Sequence, residues 1–256
     1  LYYARCGSWL VFASEIKSIV ASGLIEPSLD SDSIDDLFSL SYPCAPRTML
    51  SGVFELLPAH SMIVSANGGH RRTVKYWETP TPPDGEHRRI SRDEAAEELE
   101  ALLRRRVYDH TAADVPVAAY LSGGLDSAAI SGLMKEVSGD APSTFSVSFE
   151  SADHDEYDTA REVFSHLESS NVSIACGDSL AEKLERMVWH TELPLQFPLA
   201  LPMIDLAAAT RGAGFPVVLT GEGADELFGG YDCFRGDKMR RVLDRPGLRF
   251  MRPALY

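Results

Sequence analysis

Through residue 77 the apolar positions recur in short stretches with the spacing of half-buried strands, broken by two stretches with helical spacing. Residues 1–5 and 9–13 read as a hairpin turning at Gly7-Ser8. Residues 14–21 and 33–40 predict helices, each opened by a serine of the capping type. Residues 62–65 and 73–77 are two further strand candidates around Asn67-Gly68-Gly69, a strong turn signal. The segment Thr79-Pro80-Thr81-Pro82-Pro83-Asp84-Gly85 continues neither helix nor sheet and marks a domain boundary.

Beyond that linker the pattern changes to an alternation of helices and strands. Ser91-Arg92-Asp93-Glu94 is a capping box for a helix to about Tyr108, acidic early and basic late at Arg104-Arg105-Arg106. The apolar run 115–121 reads as a buried strand, followed by a helix from Asp126. Strands at 144–149, 172–175 and 215–220 are interleaved with helices at 155–167, 179–190 and 199–210. Such alternation predicts a mostly parallel sheet with helices on both faces. Ligands then bind beyond the carboxyl ends of the strands. The expected division is residues 1–78, a linker at 79–90 and an α/β domain from 91 to 256.

Charge narrows the function classes. With 24 basic against 38 acidic residues the net charge is −14, which argues against a broad nucleic-acid face. Nucleotides stay open, because a metal ion can offset phosphate charge locally. The four cysteines, Cys6, Cys44, Cys176 and Cys233, form no zinc or dithiol spacing and read as reduced thiols in a cytoplasmic protein. No apolar run reaches the ~20 residues of a membrane span. A chain opening on Leu1 within a strand pattern is expected to be a piece of a longer polypeptide.

Two motifs sit at strand ends. Ser122-Gly123-Gly124-Leu125-Asp126-Ser127 follows the strand 115–121 and opens a helix. Adjacent glycines let main-chain N–H groups crowd a ligand, and the helix start adds unpaired donors aimed at the same point. With the hydroxyls of Ser122 and Ser127 this makes an anion site of pyrophosphate size. Asp126 at its rim repels phosphate unless a cation intervenes, so it is a candidate Mg²⁺ ligand, with a helix cap as the alternative. The second motif, Thr220-Gly221-Glu222-Gly223-Ala224-Asp225-Glu226, then Leu227-Phe228-Gly229-Gly230-Tyr231, places three carboxylates in a glycine-rich loop after an apolar strand. From there one carboxylate could hold a metal and another remove a proton.

SGGLDS resembles the PP-loop of ATP pyrophosphatases. Together with GEGADELFGGY the chain resembles the asparagine synthetase family, glutamine-dependent amidotransferases with a PP-loop synthetase domain. Leu1-Tyr2-Tyr3-Ala4 and Phe12-Ala13-Ser14-Glu15-Ile16-Lys17 look like the end of that family's N-terminal glutaminase domain. Pro46-Arg47-Thr48 and Tyr76-Trp77 look like its exit segment, and Thr144-Phe145-Ser146-Val147 and Asp155-Glu156 follow in the family's order. The resemblance implies a Rossmann-like parallel sheet preceded by the β-rich end of an N-terminal nucleophile hydrolase domain. It implies ATP-dependent activation of a carboxylate, aspartate first, as acyl-AMP, then amidation by glutamine-derived ammonia. It further implies that Leu121 and Val147 contact adenosine, and that Ser122, Gly123, Gly124 and Ser127 hold pyrophosphate. Thr220 and Gly221 would line the nucleotide, Asp126 and Asp225 would bind Mg²⁺, and Glu222 would act at adenylate formation or as a base. The partners implied are small molecules, and a homodimer is left open.

Departures from the family pattern bear on the substrate. Leu57-Pro58-Ala59-His60 stands where the family shows Leu-Pro-Pro-Gly-His. Residues 171–176 replace a His-His-Glu segment, and Thr191-Glu192-Leu193-Pro194 differs from the common acidic-proline form. The family's N-terminal cysteine nucleophile is expected before Leu1, and its later lysine after Tyr256. A cyclase or β-lactam-type synthetase, or a pathway-specific amidotransferase, shares the adenylation chemistry. A tRNA-modifying PP-loop enzyme would be basic with catalytic cysteines, and a non-catalytic scaffold would not need both loops. The lone His154, His166 and His190 and the stripe Tyr157, Ala160, Phe164 and Leu167 read as surface and core positions. The basic run Arg235, Lys238, Arg240, Arg241, Arg245, Arg249 and Arg252, against Asp237 and Asp244, reads as an interface with downstream helices or a solvated helix.

Overall fold

The computed structural model describes residues 1–65, 71–81, 88–149, 157–176, 183–194 and 200–243. The expected turn at 67–69, the linker's 82–85, His154-Asp155-Glu156, and Asp244, Arg245, Arg249 and Arg252 lie outside them. In chain order the elements are β1 (Tyr2–Cys6), β2 (Trp9–Ala13), α1 (Ile16–Ala21), α2 (Ser31–Leu40), β3 (Val53–Glu55), β4 (His60–Val64), β5 (Arg71–Lys75) and α3 (Arg92–Thr111). Then come β6 (Val117–Tyr120), α4 (Leu125–Ser138), β7 (Thr144–Phe149), α5 (Tyr157–Leu167), β8 (Asn171–Cys176) and α6 (Leu184–Thr191). The last are α7 (Ala200–Gly212), β9 (Val217–Leu219), α8 (Ala224–Phe228) and α9 (Asp232–Leu243). They group into two compact units, residues 1–90 with 178–204, and residues 91–177 with 205–256.

In the first unit β1 and β2 form the expected hairpin, Cys6 opposite Trp9, with Gly7 at φ +60° in the turn. The third strand of that sheet, β3, is only three residues long, too short to show alternation, and pairs with β1 through Ala4 and Val53. Inward-facing Ala4 and Val53 bury against Ile16 and Ile19 of α1, forming this unit's core. Helix starts differ from expectation. Asp30, not a serine, caps α2 by accepting from Ser33 N at 2.9 Å, and Ser33 itself is fully buried. Ser14 does not cap α1, whose first residue follows Glu15. Strands β4 and β5 pair antiparallel, each lying about two residues earlier than its pattern suggested. Ala59 sits at φ +58°, in the left-handed region that favours glycine.

In the second unit Ser91 and Glu94 form the reciprocal capping box, Glu94 N to Ser91 Oγ at 3.2 Å and Ser91 N to Glu94 Oε2 at 2.8 Å. Helix α3 continues to Thr111, so Arg104 and Arg106 lie within it. Arg104 pairs with Glu100 along α3 and with Glu136 of α4, and Arg106 pairs with Asp109 along α3. The sheet is wholly parallel among the described strands, in the order β8-β7-β6-β9. Alternation along β6 sends Val117 and Ala119 to one face and Ala118 and Tyr120 to the other. The first face packs Val107 of α3 and Met134 of α4, and the second packs Leu206 of α7 and Phe145. A sheet covered on both faces explains the continuous apolar runs that mark its strands. On the β7–β8 ladder, Thr144 Oγ1 and Ser146 Oγ both donate to Asn171 Oδ1 at 3.0 Å, which satisfies buried hydroxyls.

Strand order reverses between β6 and β9. From β6 the chain steps outward through β7 to β8, then returns to the other side of β6. This is the topological switch point of a doubly wound sheet, where the carboxyl ends of the two flanking strands leave a crevice.

Candidate active site

Both glycine-rich motifs emerge at that switch point. Leu121, buried beyond β6, donates its N–H to Phe145 O at 2.9 Å, and so holds the chain where the strand ends. Gly123 then adopts φ +88°, a left-handed position. Gly124 is the N-cap residue of α4, and no side chain caps that helix. Asp126 stands in the first turn, so the alternative reading of it as a cap does not hold. Ser127 is buried. Its Oγ accepts from Ser122 N at 3.2 Å and donates to Gly124 O at 3.0 Å, tying the loop into a closed turn. Ser122 Oγ in turn accepts from Gly124 N at 3.3 Å.

The second loop leaves β9 at Thr220, which is exposed. Gly221 lies directly against the start of α4. A Cβ there would stand 2.8 Å from Asp126 Cβ and 2.9 Å from Ser127 N, closer than real Cβ atoms approach. The two loops are therefore in backbone contact, and only glycine allows it. Gly223, at φ +90°, starts the short α8 that carries Asp225 and Glu226. Glu222 is exposed and Asp225 partly buried.

The Asp225 carbonyl accepts from both Gly229 N and Gly230 N, at 2.9 and 3.0 Å. A Cβ on Gly230 would overlap the Asp225 carboxylate, so this glycine leaves room for that side chain. Tyr231 Oη donates to Glu226 Oε1 at 3.0 Å. That bond, with partial desolvation and the charges of Glu226, Asp225 and Glu222, raises the Tyr231 pKa above the ordinary tyrosine value. Roles for Gly230, Glu226 and Tyr231 were not read from the sequence. The signal was present in Gly229-Gly230-Tyr231 directly after the acidic loop. Val147 lies within β7, two residues beyond Phe145, whose carbonyl accepts from Leu121 N, and its side chain packs on the cluster of Ala118, Phe145 and Leu206.

Neither loop contains histidine, cysteine, lysine or arginine. The available donors are carboxylate and hydroxyl oxygens with backbone N–H groups, which suit Mg²⁺ beside a phosphate rather than zinc. Among the described residues no group of three or more His, Cys, Asp or Glu gathers into an all-protein metal cage. Mg²⁺ is usually held by one or two carboxylates plus substrate oxygens, so the donor set fits it. A groove of about 630 Å³ lies elsewhere, between α4 and α5, lined by residues including Gly132, Lys135, Glu162 and His166. It contains none of the expected site residues. No helix among the described residues is long and apolar enough to cross a membrane.

The family model "Asparagine synthase" matches residues 98–255. The chain belongs to the asparagine synthase family. A second model, "Glutamine amidotransferase domain", matches residues 1–77. Among relatives, "Amidase chyE" of Penicillium rubens is 34% identical over 253 residues, covering 93% of this chain and 37% of that protein. "Asparagine synthetase [glutamine-hydrolyzing] 1" of Bacillus subtilis is 33% identical, covering 92% of this chain and 36% of that protein. "Amidase chry2" of Gibberella zeae is 32% identical, covering 93% and 37%. The chain thus spans little more than a third of the length of these relatives.

Proposed function

We propose that this member of the asparagine synthase family carries the ATP site of an enzyme that converts a carboxylate to an amide. The observation that carries the reading is the backbone contact of Gly221 with Asp126 and Ser127, which joins two anion-oriented loops at the switch point of the sheet. A carboxylate oxygen of the substrate attacks the α-phosphorus of ATP, and the bond to pyrophosphate breaks. The N–H groups at the start of α4 and the Ser122 hydroxyl bind the departing pyrophosphate, whose charge rises as it leaves, while Ser127 holds closed the turn that presents them. Leu121, Thr220 and Gly221 line the nucleotide, with Val147 shaping the floor from β7.

Ammonia derived from glutamine then attacks the acyl carbon, AMP departs, and Glu222 takes the proton released from nitrogen. Asp126 and Asp225 would hold Mg²⁺, which when bound neutralises phosphate charge. The domains we assign to these steps are residues 1–78 for the amidotransferase part, 79–90 as linker and 91–256 for the synthetase part. Aspartate is the first carboxylate to test. A different carboxylate is the second reading, favoured by the altered segment at residues 171–176 and by two relatives named amidases.

The test is ATP–pyrophosphate exchange by the intact protein against a panel of carboxylates. Aspartate-stimulated exchange supports the leading reading, stimulation by another acid supports the second, and ATP binding without any exchange overturns both. Asp126→Asn and Asp225→Asn are each expected to lower exchange by about 100-fold or more. Undiminished exchange would remove the metal assignment.

A further inference from the structure

Helix α1 is capped from far away. The Glu192 carboxylate accepts from Ile16 N through Oε2 and from Lys17 N through Oε1, both at 2.7 Å, whereas no neighbouring side chain caps this helix. Lys17 Nζ closes the cluster. It lies 3.0 Å from Glu15 Oε1 and 3.6 Å from Glu192 Oε1, donates to Trp189 O at 3.0 Å, and sits 5.4 Å from the Trp189 ring centroid. The Glu192 side chain is only 11% exposed. Its backbone is left-handed at φ +58° because Glu192 ends α6, its N–H donating to Val188 O at 2.8 Å, so the carboxylate that caps α1 is carried on a fixed helix end.

Ile16 and Lys17 belong to the stretch matched by the amidotransferase model, and Glu192 to the stretch matched by the asparagine synthase model. Both ends of the contact nevertheless fall in the same compact unit, because residues 178–204 group with residues 1–90. In sequence those residues form the crossover between β8 and β9. The unit division falls at Ile204/Asp205, inside α7, whose Leu206 is buried against the sheet core. Beyond α7 the chain enters β9 and reaches Thr220 and Gly221. The crossover that delivers the acidic loop is thus fastened, at Glu192, to the amidotransferase stretch.

We propose that Glu192 is a positioning residue that ties amide formation to glutamine hydrolysis, an inference that rests on the reaction proposed above. Hydrogen-bond and salt-bridge networks such as the one that Glu192 makes with Ile16 and Lys17 are among the carriers of coupling between sites. The test uses the intact protein with glutamine, ATP and its carboxylate, comparing Glu192→Gln, Glu192→Ala and Lys17→Met with the unsubstituted chain. The expected result is a rise of about fivefold or more in glutamate released per pyrophosphate. ATP–pyrophosphate exchange and amide formation from added ammonia should stay within about twofold. A loss of all activities together, with Lys17→Met behaving likewise, would show a purely structural contact and overturn the inference. So would an unchanged ratio in all three variants. Failure of the unsubstituted protein to exchange pyrophosphate with any carboxylate would instead overturn the proposed reaction itself.

Discussion

Gly221 is the residue on which the two halves of the candidate site meet. A methyl group there would lie within 3 Å of Asp126 and Ser127, and backbone atoms are among those it would strike, so a side-chain swing cannot relieve it. Gly221→Ala is therefore expected to push the acidic loop away from the start of α4. Overpacking of this kind costs about 1–3 kcal/mol of stability. Displacement of the groups proposed to line the nucleotide by even an ångström should cost more in chemistry, on the order of 100-fold in ATP–pyrophosphate exchange. Thermal melting and exchange on the same preparation separate the two effects. An alanine variant with normal exchange would show that the loop contact is incidental. The motif was readable from its residue types, but the need for glycine at this position was not. The clashing atoms belong to a different strand end, and the approach exists only once β6 and β9 are neighbours.

At the scale of elements, α2 is held to the loop after it by charge. Arg47 Nη2 pairs with Asp36, and Cys44 N donates to the same carboxylate oxygen at 3.1 Å. The Arg47 hydrogen bond, followed by that of Cys44, holds the Asp36 carboxyl below the ordinary aspartate value of 3.8. A depressed folded-state pKa stabilises above the unfolded value and loses that contribution as pH falls through the folded one. Asp36→Asn should therefore lower the melting temperature at pH 6, and the gap to the unsubstituted protein should close as pH drops below 3.8. Parallel melting curves at all pH values would rule out the charge pair as the cause. Elements whose signals are local, such as the capping box of α3 and the β1–β2 hairpin, were legible in the sequence. Helix α1 was legible too, but not its cap, which comes from the distant Glu192, and β3 was not, being too short to declare itself before β1 is there to pair with.

For the whole chain, alternation of helix and strand was enough to place both motifs at strand ends. The pairing order that makes β6 and β9 adjacent is a tertiary fact that periodicity does not carry. Charge is the other property of the whole. The chain carries −14, and the two loops add Asp126, Glu222, Asp225 and Glu226 with no lysine or arginine among them. ATP is itself an anion, so on the proposed reading its attraction to this site comes from backbone N–H groups and a bridging divalent cation, set against long-range repulsion. With the divalent cation removed by chelation, only the N–H groups and the repulsion remain. The screening length is about 10 Å at 0.1 M salt, so added monovalent salt then weakens the repulsion more than it weakens contacts made at the loops. ATP affinity of the chelated chain is thus expected to rise between roughly 0.02 and 0.2 M salt, as read by equilibrium dialysis. A site built on lysine and arginine gives the opposite slope, because binding there releases condensed ions. A fall in affinity with salt would mean that cationic side chains dominate phosphate binding, and the backbone-cradle account of these loops would have to be abandoned.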